Sequence, residues 1–235
     1  MPHYRDEAVV IRTHKLGEVD RIVTLLTKNH GQVRAVAKGV RKTSSRIGAR
    51  LEPFNVVDLQ LYEGRNLDTV SQVEQLANYG SVIVADYARY TAASAVVEAA
   101  ERFTREDSSS QHYMLVIGAL RALSLKEHSS DQILDSYLLR ALAISGWITN
   151  LDQCQGCAST DIVSFSVHSG SVSCQSCTMP GSVRLGVDGI SHISALLIGD
   201  WPSVGRANLA TRAAVSGVVA GYLQWQLERG LRSLE

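Results

Sequence analysis

The sequence has few cysteines and lacks any long, uninterrupted run of apolar residues. Its 235 residues include four cysteines, and charged residues interrupt every long apolar segment, as Asp86 and Glu98 do in one of them. The residues that follow Met1 lack the apolar core of a secretory signal. The sequence therefore predicts a soluble cytoplasmic protein without a membrane partner. In that reducing compartment the cysteines are more typical of metal ligands than of disulfides.

The segment from Arg21 to Leu51 contains no acidic residue. It has eight basic residues, which are Arg21, Lys28, Arg34, Lys38, Arg41, Lys42, Arg46 and Arg50. Because the whole chain has 23 basic and 23 acidic residues, the rest of the chain is net negative by eight charges. Such a segment is typical of a surface that binds a polyanion, most often nucleic-acid phosphate. The alternative is a solvated face whose acidic partners come from elsewhere in the fold.

Residues 1–78 contain five short segments rich in Val, Ile, Leu and Thr, which predict strands. They are Glu7 to Arg12, Asp20 to Thr27, Gln32 to Lys38, Phe54 to Tyr62 and Leu67 to Val73. Turn residues separate the second from the third segment and the fourth from the fifth. Five strands with a longer connection between the third and the fourth predict an OB-type β-barrel, and an SH3-like barrel fits nearly as well.

Alternation along the third strand predicts that Arg34 and Lys38 face outward together, roughly 13 Å apart at about 3.3 Å per residue. The loop beyond them contains further cations. The predicted DNA-binding residues are Arg34, Lys38, Arg41, Lys42, Arg46 and Arg50. No aromatic ring lies between Arg21 and Leu51 on which a base could stack. We therefore predict binding led by phosphate contacts, independent of base sequence, to single-stranded or double-stranded DNA.

Residues 79–150 and 181–235 have the apolar periodicity of helices. The predicted helices are Ser81 to Thr104, a helix around Tyr113 to Leu123, one around Ile133 to Leu142, Gly189 to Ile198 and Asn208 to Arg229. The fourth of these is predicted to end at Gly199-Asp200-Trp201-Pro202. We expect the two parts to form one helical body, interrupted by an inserted module at residues 151–180. The predicted fold class is therefore α+β.

The inserted module contains all four cysteines, in two pairs with two residues between the members of each pair. They are Cys154, Cys157, Cys174 and Cys177. This spacing predicts one Zn²⁺ ion in a ribbon hairpin, and four protein ligands leave no open position for water, so the ion would be structural. Redox-active dithiols are the alternative, but no βαβ pattern surrounds the pairs.

The chain lacks the features of an enzyme that acts on nucleic acid. It has no recognisable cluster of carboxylates for a catalytic metal and no glycine loop for a nucleotide. A non-enzymatic protein without a small-molecule substrate is therefore predicted. The open alternatives are a nucleic-acid enzyme and an interaction adaptor whose barrel binds acidic protein.

Three stretches of the N-terminal region resemble the opening of the bacterial RecO family of recombination mediators. They run from Glu7 to Arg12, from Gly17 to Thr27 and from Gly31 to Arg41, and the stretches Leu51 to Phe54 and Leu59 to Leu67 continue the likeness. The order of the later parts is also similar. The resemblance implies an OB-fold domain, a helical part and, in many members, a zinc module.

That resemblance also implies an activity. Family members bind DNA, anneal complementary strands and, with RecR, help to load RecA on DNA coated by single-stranded DNA-binding protein. The helical part is expected to lodge the tail of that coating protein. The chain would be associated with the nucleoid when it is bound to DNA.

Overall fold

A computed structural model describes residues 2–43, 45, 47–105, 110–148 and 151–227. Arg46, one of the predicted DNA-binding residues, lies outside the described residues. The chain divides into two compact units, Met1–Glu127 and His128–Glu235.

The first unit begins with five strands that close into a barrel. They are β1 (His3–Leu16), β2 (Asp20–Thr27), β3 (Gln32–Ala37), β4 (Asn55–Tyr62) and β5 (Asp68–Asn78). Their order around the barrel is β1-β2-β3-β5-β4, and β3 pairs with β5 in parallel through Ala35 and Val36. This order is that of an OB-type barrel, which confirms the prediction. An SH3-like meander would not contain the β3–β5 pair.

The barrel interior is filled by alternating side chains. Val23 and Leu25 of β2 and Ala35 and Ala37 of β3 are buried in one apolar cluster. The long connection after β3 adds a short 3-10 helix, Gly48–Leu51, and the side chain of Leu51 is fully buried in the same cluster. Burial of a leucine side chain contributes about 1.5–3 kcal/mol. The cationic connection is thereby anchored to the core at its far end.

Strand β1 is longer than predicted and continues past Arg12 to Leu16. The pairing of β1 with β2 shifts between Val10 and Arg12, so Ile11 is the additional residue of a β-bulge. The four consecutive residues from Ala8 to Ile11 are all buried, and a simple period of two does not predict this. Strand β5 is also longer than predicted and reaches Asn78.

Three helices complete the first unit: α1 (Gly80–Ile83), α2 (Tyr87–Phe103) and α3 (Ser110–Leu125). The single helix predicted from Ser81 to Thr104 is wrong, because Asp86 interrupts it. The Asp86 side chain accepts a hydrogen bond from the Arg89 backbone N–H and caps the start of α2. Helices α2 and α3 pack on β1.

The second unit combines helices with a small sheet. Its elements are α4 (Ser130–Ile144), β6 (Ile162–Ser166), β7 (Ser171–Cys174), β8 (Val183–Arg184), α5 (Gly186–Ile198), α6 (Trp201–Arg206) and α7 (Leu209–Leu227). Helix α6 was not predicted. The residues expected only to end α5 also start α6, since Asp200 accepts a hydrogen bond from the Ser203 backbone N–H. The predicted ribbon hairpin corresponds to β6 and β7.

The helices are divided between the two units, whereas the sequence predicted one helical body. Helices α1 to α3 belong with the barrel, and α4 packs with α5 and α7. The predicted boundaries at residues 78, 150 and 180 stay a prediction. Among the described helices, none has the length and apolar composition needed to cross a bilayer.

Candidate nucleic-acid interface and metal centre

A candidate interface, which we call the cationic face, is defined by Arg34 of β3 and by Lys38, Arg41 and Lys42 of the loop that follows it. On β3, Ala35 and Ala37 are buried while Arg34 is exposed, and Lys38 is exposed immediately beyond the strand. The predicted alternation is therefore confirmed.

An apolar row crosses this face between the two cations. His14 of β1 lies opposite Ile22 of β2, and Ile22 lies opposite Val36 of β3. Ile22 and Val36 are half-buried and His14 is exposed. Because Val36 lies midway between positions 34 and 38, Arg34 and Lys38 flank the row. Such a row can contact sugars or bases while the cations contact phosphates.

Hydrogen bonds hold the loop after β3 against the β1–β2 turn. The Arg41 backbone N–H donates to the Val19 carbonyl at 2.9 Å. Its guanidinium donates to the Gly17 carbonyl at 2.9 Å. Lys42 next to it is exposed. The loop therefore has a defined position, and the side-chain partner of Arg41 is a neutral carbonyl rather than a carboxylate.

Arg50 lies in a different part of the barrel. Its guanidinium donates to the Val73 carbonyl at 2.6 Å, and it lines a groove of about 650 Å³ that also contains Arg5 and Asp58. Hydrogen bonds from Arg5 hold the pKa of the Asp58 carboxyl below its usual value. This groove is built from β1, β4 and β5, so the structure does not bring Arg50 together with Arg34 and Lys38.

Two basic residues of the acid-free segment form ion pairs with carboxylates, whereas the described members of the predicted DNA-binding set do not. Arg21 pairs with Glu52 at 2.6 Å, and Lys28 pairs with Glu7 at 3.2 Å. By contrast, five cations have no carboxylate of another described residue within 4.0 Å, namely Arg34, Lys38, Arg41, Lys42 and Arg50. Within the described part of the chain, none of these five cations forms an ion pair. This observation disfavours the alternative of a solvated face with its own acidic partners.

Three exposed polar residues of the barrel were not among the predicted DNA-binding residues. His14 and Lys15 are exposed because β1 extends beyond Arg12, and Arg65 is exposed in the turn between β4 and β5. In OB-type barrels the loops β1–β2 and β4–β5 and the face of β2 and β3 bind oligonucleotides. The segment from Arg12 to Leu16 shows no alternation of apolar and polar residues, so no local pattern indicated that β1 continues there.

The four cysteines of the second unit meet at one point. One atom from each of Cys154, Cys157, Cys174 and Cys177 lies within 4.8 Å of the others. The Cys157 and Cys174 sulfurs are 3.7 Å apart. A tetrahedral Zn²⁺ site with Zn–S bonds of about 2.3 Å requires sulfurs about 3.8 Å apart. The arrangement therefore fits a four-thiolate zinc site.

Local backbone geometry builds each half of this cluster. Cys154 donates its N–H to Ser159 and accepts a hydrogen bond at its carbonyl from Ala158, which closes a tight turn around the first pair. Cys174 ends β7, and the 3-10 helix that follows carries Cys177. Two short turns thus point both pairs inward.

The thiols differ in acidity in a way that suits a cation. The Cys174 backbone N–H donates to the Cys154 sulfur and lowers the pKa of that thiol to about 6. Hydrogen bonding with the Cys174 and Cys157 sulfurs raises the pKa of Cys177 to about 12. Backbone amides thus favour the thiolate of Cys154, whereas the neighbouring sulfurs disfavour the thiolate of Cys177.

Comparison with known proteins accounts for the whole chain. Residues 1–79 match the family model described as Recombination protein O N terminal, and residues 84–235 match Recombination protein O C terminal. The chain belongs to the RecO family. The resemblance found in the sequence is thereby confirmed.

Relatives in this family are similar over nearly their full length. A protein from Nocardioides is 48% identical over 237 residues, covering 98% of this chain and 97% of the relative. A protein from Streptomyces griseus is 47% identical over 243 residues, covering 100% and 98%. One from Thermobifida fusca is 48% identical over 237 residues, also covering 100% and 98%. Each is named DNA repair protein RecO, so membership of the family supports a role in DNA repair.

Proposed function

We propose that this chain is a DNA-binding recombination mediator that anneals complementary strands. The observation that carries the proposal is the cationic face, where Arg34, Lys38, Arg41 and Lys42 have no carboxylate of another described residue within 4.0 Å. Family membership supports the same role. Single-stranded and double-stranded DNA are both proposed partners.

The mechanism is electrostatic. Arg34 and Lys38 contact separate phosphates of one strand, because roughly 13 Å lies between them at about 3.3 Å per residue. Arg41 and Lys42 contribute two further positive charges from the adjoining loop. Neutralising phosphates on two strands reduces their mutual repulsion, and base pairing then selects the complementary strand. Contacts to phosphate carry no sequence information, so any complementary pair is accepted.

We also propose that the chain acts with RecR to load RecA on DNA coated by single-stranded DNA-binding protein. Family membership supports RecR and the coating protein as partners, whereas no described surface distinguishes their contacts. The protein would work in the cytoplasm and at the nucleoid when bound to DNA.

The proposed cofactor is one structural Zn²⁺ ion held by Cys154, Cys157, Cys174 and Cys177. When bound, the ion would crosslink the two turns of the ribbon and stabilise a segment with little core of its own. In the described residues this is the one cluster of three or more His, Cys, Asp or Glu side chains that could hold a metal. Four thiolates leave no position for a reacting water, which supports a non-enzymatic role.

Salt dependence of DNA binding tests the proposed surface. Four phosphate contacts on a single strand, one for each residue of the cationic face, predict that log affinity falls with log salt with a slope of about 2.8, at about 0.7 per contact. Replacing both Arg41 and Lys42 by Ala should reduce the slope by about one unit or more. Lys28→Ala is the matched control, because Lys28 already pairs with Glu7. If the slope of the double variant is unchanged, the DNA-binding surface lies elsewhere on the protein.

Annealing of complementary oligonucleotides tests the activity itself. The purified protein should accelerate annealing, with and without single-stranded DNA-binding protein, and the Arg41 and Lys42 double variant should be slower. If a short oligonucleotide fails to bind at near-physiological salt while an acidic protein tail binds, the barrel belongs to an interaction adaptor instead.

A further inference from the structure

The row that crosses the cationic face continues over two further strands of the barrel. Val36 of β3 lies opposite Thr69 of β5, and Thr69 lies opposite Tyr62 of β4. Residues opposite one another in register point to the same face of a sheet. At about 4.8 Å per strand, Tyr62 therefore lies roughly 10 Å from Val36 on the outer face. We call the whole series the outer row, and its members are His14, Ile22, Val36, Thr69 and Tyr62.

Tyr62 carries the one exposed aromatic ring of the five barrel strands. Those strands contain two tyrosines and no phenylalanine or tryptophan. Tyr4 donates its hydroxyl to Asp68 at 2.5 Å and packs against the barrel core. Tyr62 instead points outward, since Leu61 beside it is fully buried in that core. Its side chain is 42% exposed, and the His3 ring contacts it edge-to-face with centroids 6.1 Å apart.

The charges along the outer row favour a ligand with a negatively charged backbone. Arg34 and Lys38 lie two residues to either side of the row on β3, and neither has a carboxylate of another described residue within 4.0 Å. The turn that follows Tyr62 contains one exposed acid, Glu63, and one exposed base, Arg65, so it adds no net charge. The surface thus combines free cations with an exposed ring.

Single-stranded DNA matches both features of this surface, because its phosphates are anionic and the faces of its bases are accessible. Proteins that bind single strands combine cations along the backbone with aromatic side chains on which bases stack. A duplex offers the same phosphates, but its bases are stacked on one another and their faces are covered. The ring of Tyr62 is therefore useful to a single strand and not to the interior of a duplex.

We infer that Tyr62 stacks on a base of single-stranded DNA and makes the barrel prefer single strands to duplex, which rests on the DNA-binding role proposed above for the cationic face. Stacking is independent of base sequence, because every base has a ring face. It also leaves the pairing edge of the base free, because that edge lies in the plane of the ring. The bound strand can still pair with its complement, and the stacking contact is lost once the duplex forms.

Fluorescence anisotropy with an oligothymidine and with a long duplex tests this inference on the full-length protein. Tyr62→Ala should weaken single-strand binding by about tenfold, and it should change duplex affinity by less than about twofold because the phosphate contacts are kept. Tyr62→Phe retains the ring and should bind single strands like the unmodified protein. Tyr87→Ala is the matched control, since Tyr87 is 85% exposed on α2 and lies outside the outer row.

Salt dependence separates this contact from the phosphate contacts. Tyr62→Ala removes no ionic contact, so its loss of single-strand affinity should be the same factor at every salt concentration. If the unmodified protein binds neither DNA, the proposed function fails and the inference fails with it. If it binds DNA with the expected salt slope, but Tyr62→Ala binds single strands normally or weakens duplex binding equally, the inference alone is wrong.

Photocrosslinking locates the stacked base. An oligothymidine that carries 5-iodouracil should crosslink to Tyr62 on irradiation, because this base reacts with an aromatic ring stacked against it. Mass spectrometry of the digested complex identifies the residue. The crosslink should persist in Tyr62→Phe and disappear in Tyr62→Ala. Crosslinks found at Tyr87 or Tyr90 in place of Tyr62 would overturn the inference.

Discussion

The backbone N–H of Gly39 donates a 2.7 Å hydrogen bond to the Asp20 carboxylate. This contact joins the start of β2 to the point where the chain leaves β3, and Gly39 has a φ of +68° there. The acceptor that orients the cationic loop is therefore a negative charge beside it. Two substitutions of Asp20 can therefore distinguish the effect of the loop geometry from the effect of the local charge.

Asp20→Asn retains an oxygen acceptor for Gly39 and removes the negative charge. We expect this variant to bind DNA more tightly than the unmodified protein, with the gain largest at low salt because the effect is electrostatic. Asp20→Ala leaves the Gly39 N–H without its partner and should cost about 1 kcal/mol of stability. Fluorescence anisotropy over a salt series and urea denaturation measure the two effects. Equal DNA affinities for Asp20→Asn and the unmodified protein would contradict the electrostatic account.

Charge reversal distinguishes the cationic face from other basic residues of the same segment. Lys38→Glu should weaken binding to a single-stranded oligonucleotide strongly, because a repulsive charge replaces a phosphate contact. Lys28→Glu changes the net charge equally, but Lys28 lies beside Glu7 at 3.2 Å. The effect of Lys28→Glu on the DNA affinity should be much smaller than that of Lys38→Glu. If the two reversals weaken binding equally at every salt concentration, net charge rather than the cationic face governs the affinity.

Gly156, between Cys154 and Cys157, lies too close to Cys177 for a side chain to fit without movement. A Cβ atom there would lie 3.1 Å from the Cys177 sulfur and 3.2 Å from the Cys177 Cβ. Gly156→Ala should therefore displace Cys177 and lower zinc affinity by about 10-fold or more. Competition with a chromogenic chelator measures that affinity.

Gly217→Ala is the control for this substitution. Gly217 lies in α7 of the same unit, and no atom would contact the added methyl group within 4 Å. This variant should keep its zinc affinity and gain about 0.5–1 kcal/mol of stability from the helix preference of alanine. A normal zinc affinity in Gly156→Ala would show that the thiolate cluster tolerates movement of Cys177.

Stability of the second unit should fall as pH rises, because of Asp135. Burial raises the pKa of this carboxyl from 3.8 to about 7, although Ser216 donates a hydrogen bond to it. The folded state therefore holds a proton that the unfolded state releases above pH 3.8. The resulting destabilisation accumulates between about pH 4 and pH 7 and is complete above pH 7. At 1.36 kcal/mol per pKa unit it is on the order of 4 kcal/mol.

Asp135→Asn should remove this pH dependence and stabilise the protein at pH 8. Thermal denaturation from pH 4 to pH 8 measures the effect. Asp161→Asn, which changes an exposed carboxylate of the same unit, should leave the slope with pH unchanged. The account fails if Asp135→Asn retains the slope of the unmodified protein.

Local pattern was enough to predict the five strands of the barrel, though not all their bounds, and the clustering of the four cysteines. The alternation from Val33 to Ala37 predicted which side of β3 faces the core, because side chains of a strand alternate between two faces. The two Cys-x-x-Cys pairs predicted the thiolate cluster, because a tight turn brings residues three apart to one ion. Neither inference requires knowledge of distant contacts.

The interruption between α1 and α2 and the bulge in β1 each depend on a single residue rather than on a repeating pattern. Asp86 ends one helix and caps the next because its side chain bonds to the Arg89 backbone, although the surrounding residues continue an apolar helical pattern. Ile11 forms a bulge, so the alternation of β1 loses its register there. In both places a single residue outweighs the periodicity of its neighbours.

Composition and spacing in the chain therefore determined the individual strands, the acid-free segment and the four thiols, since each depends on residues close to one another in sequence. Long-range folding alone decided that Glu52 pairs with Arg21 while Lys38 has no acidic partner among the described residues, and that the Asn55 oxygen is buried without a hydrogen-bond donor from another described residue. The physical reason is that a charge or a polar atom acquires its partners from distant segments, and those partners meet only when the chain is packed.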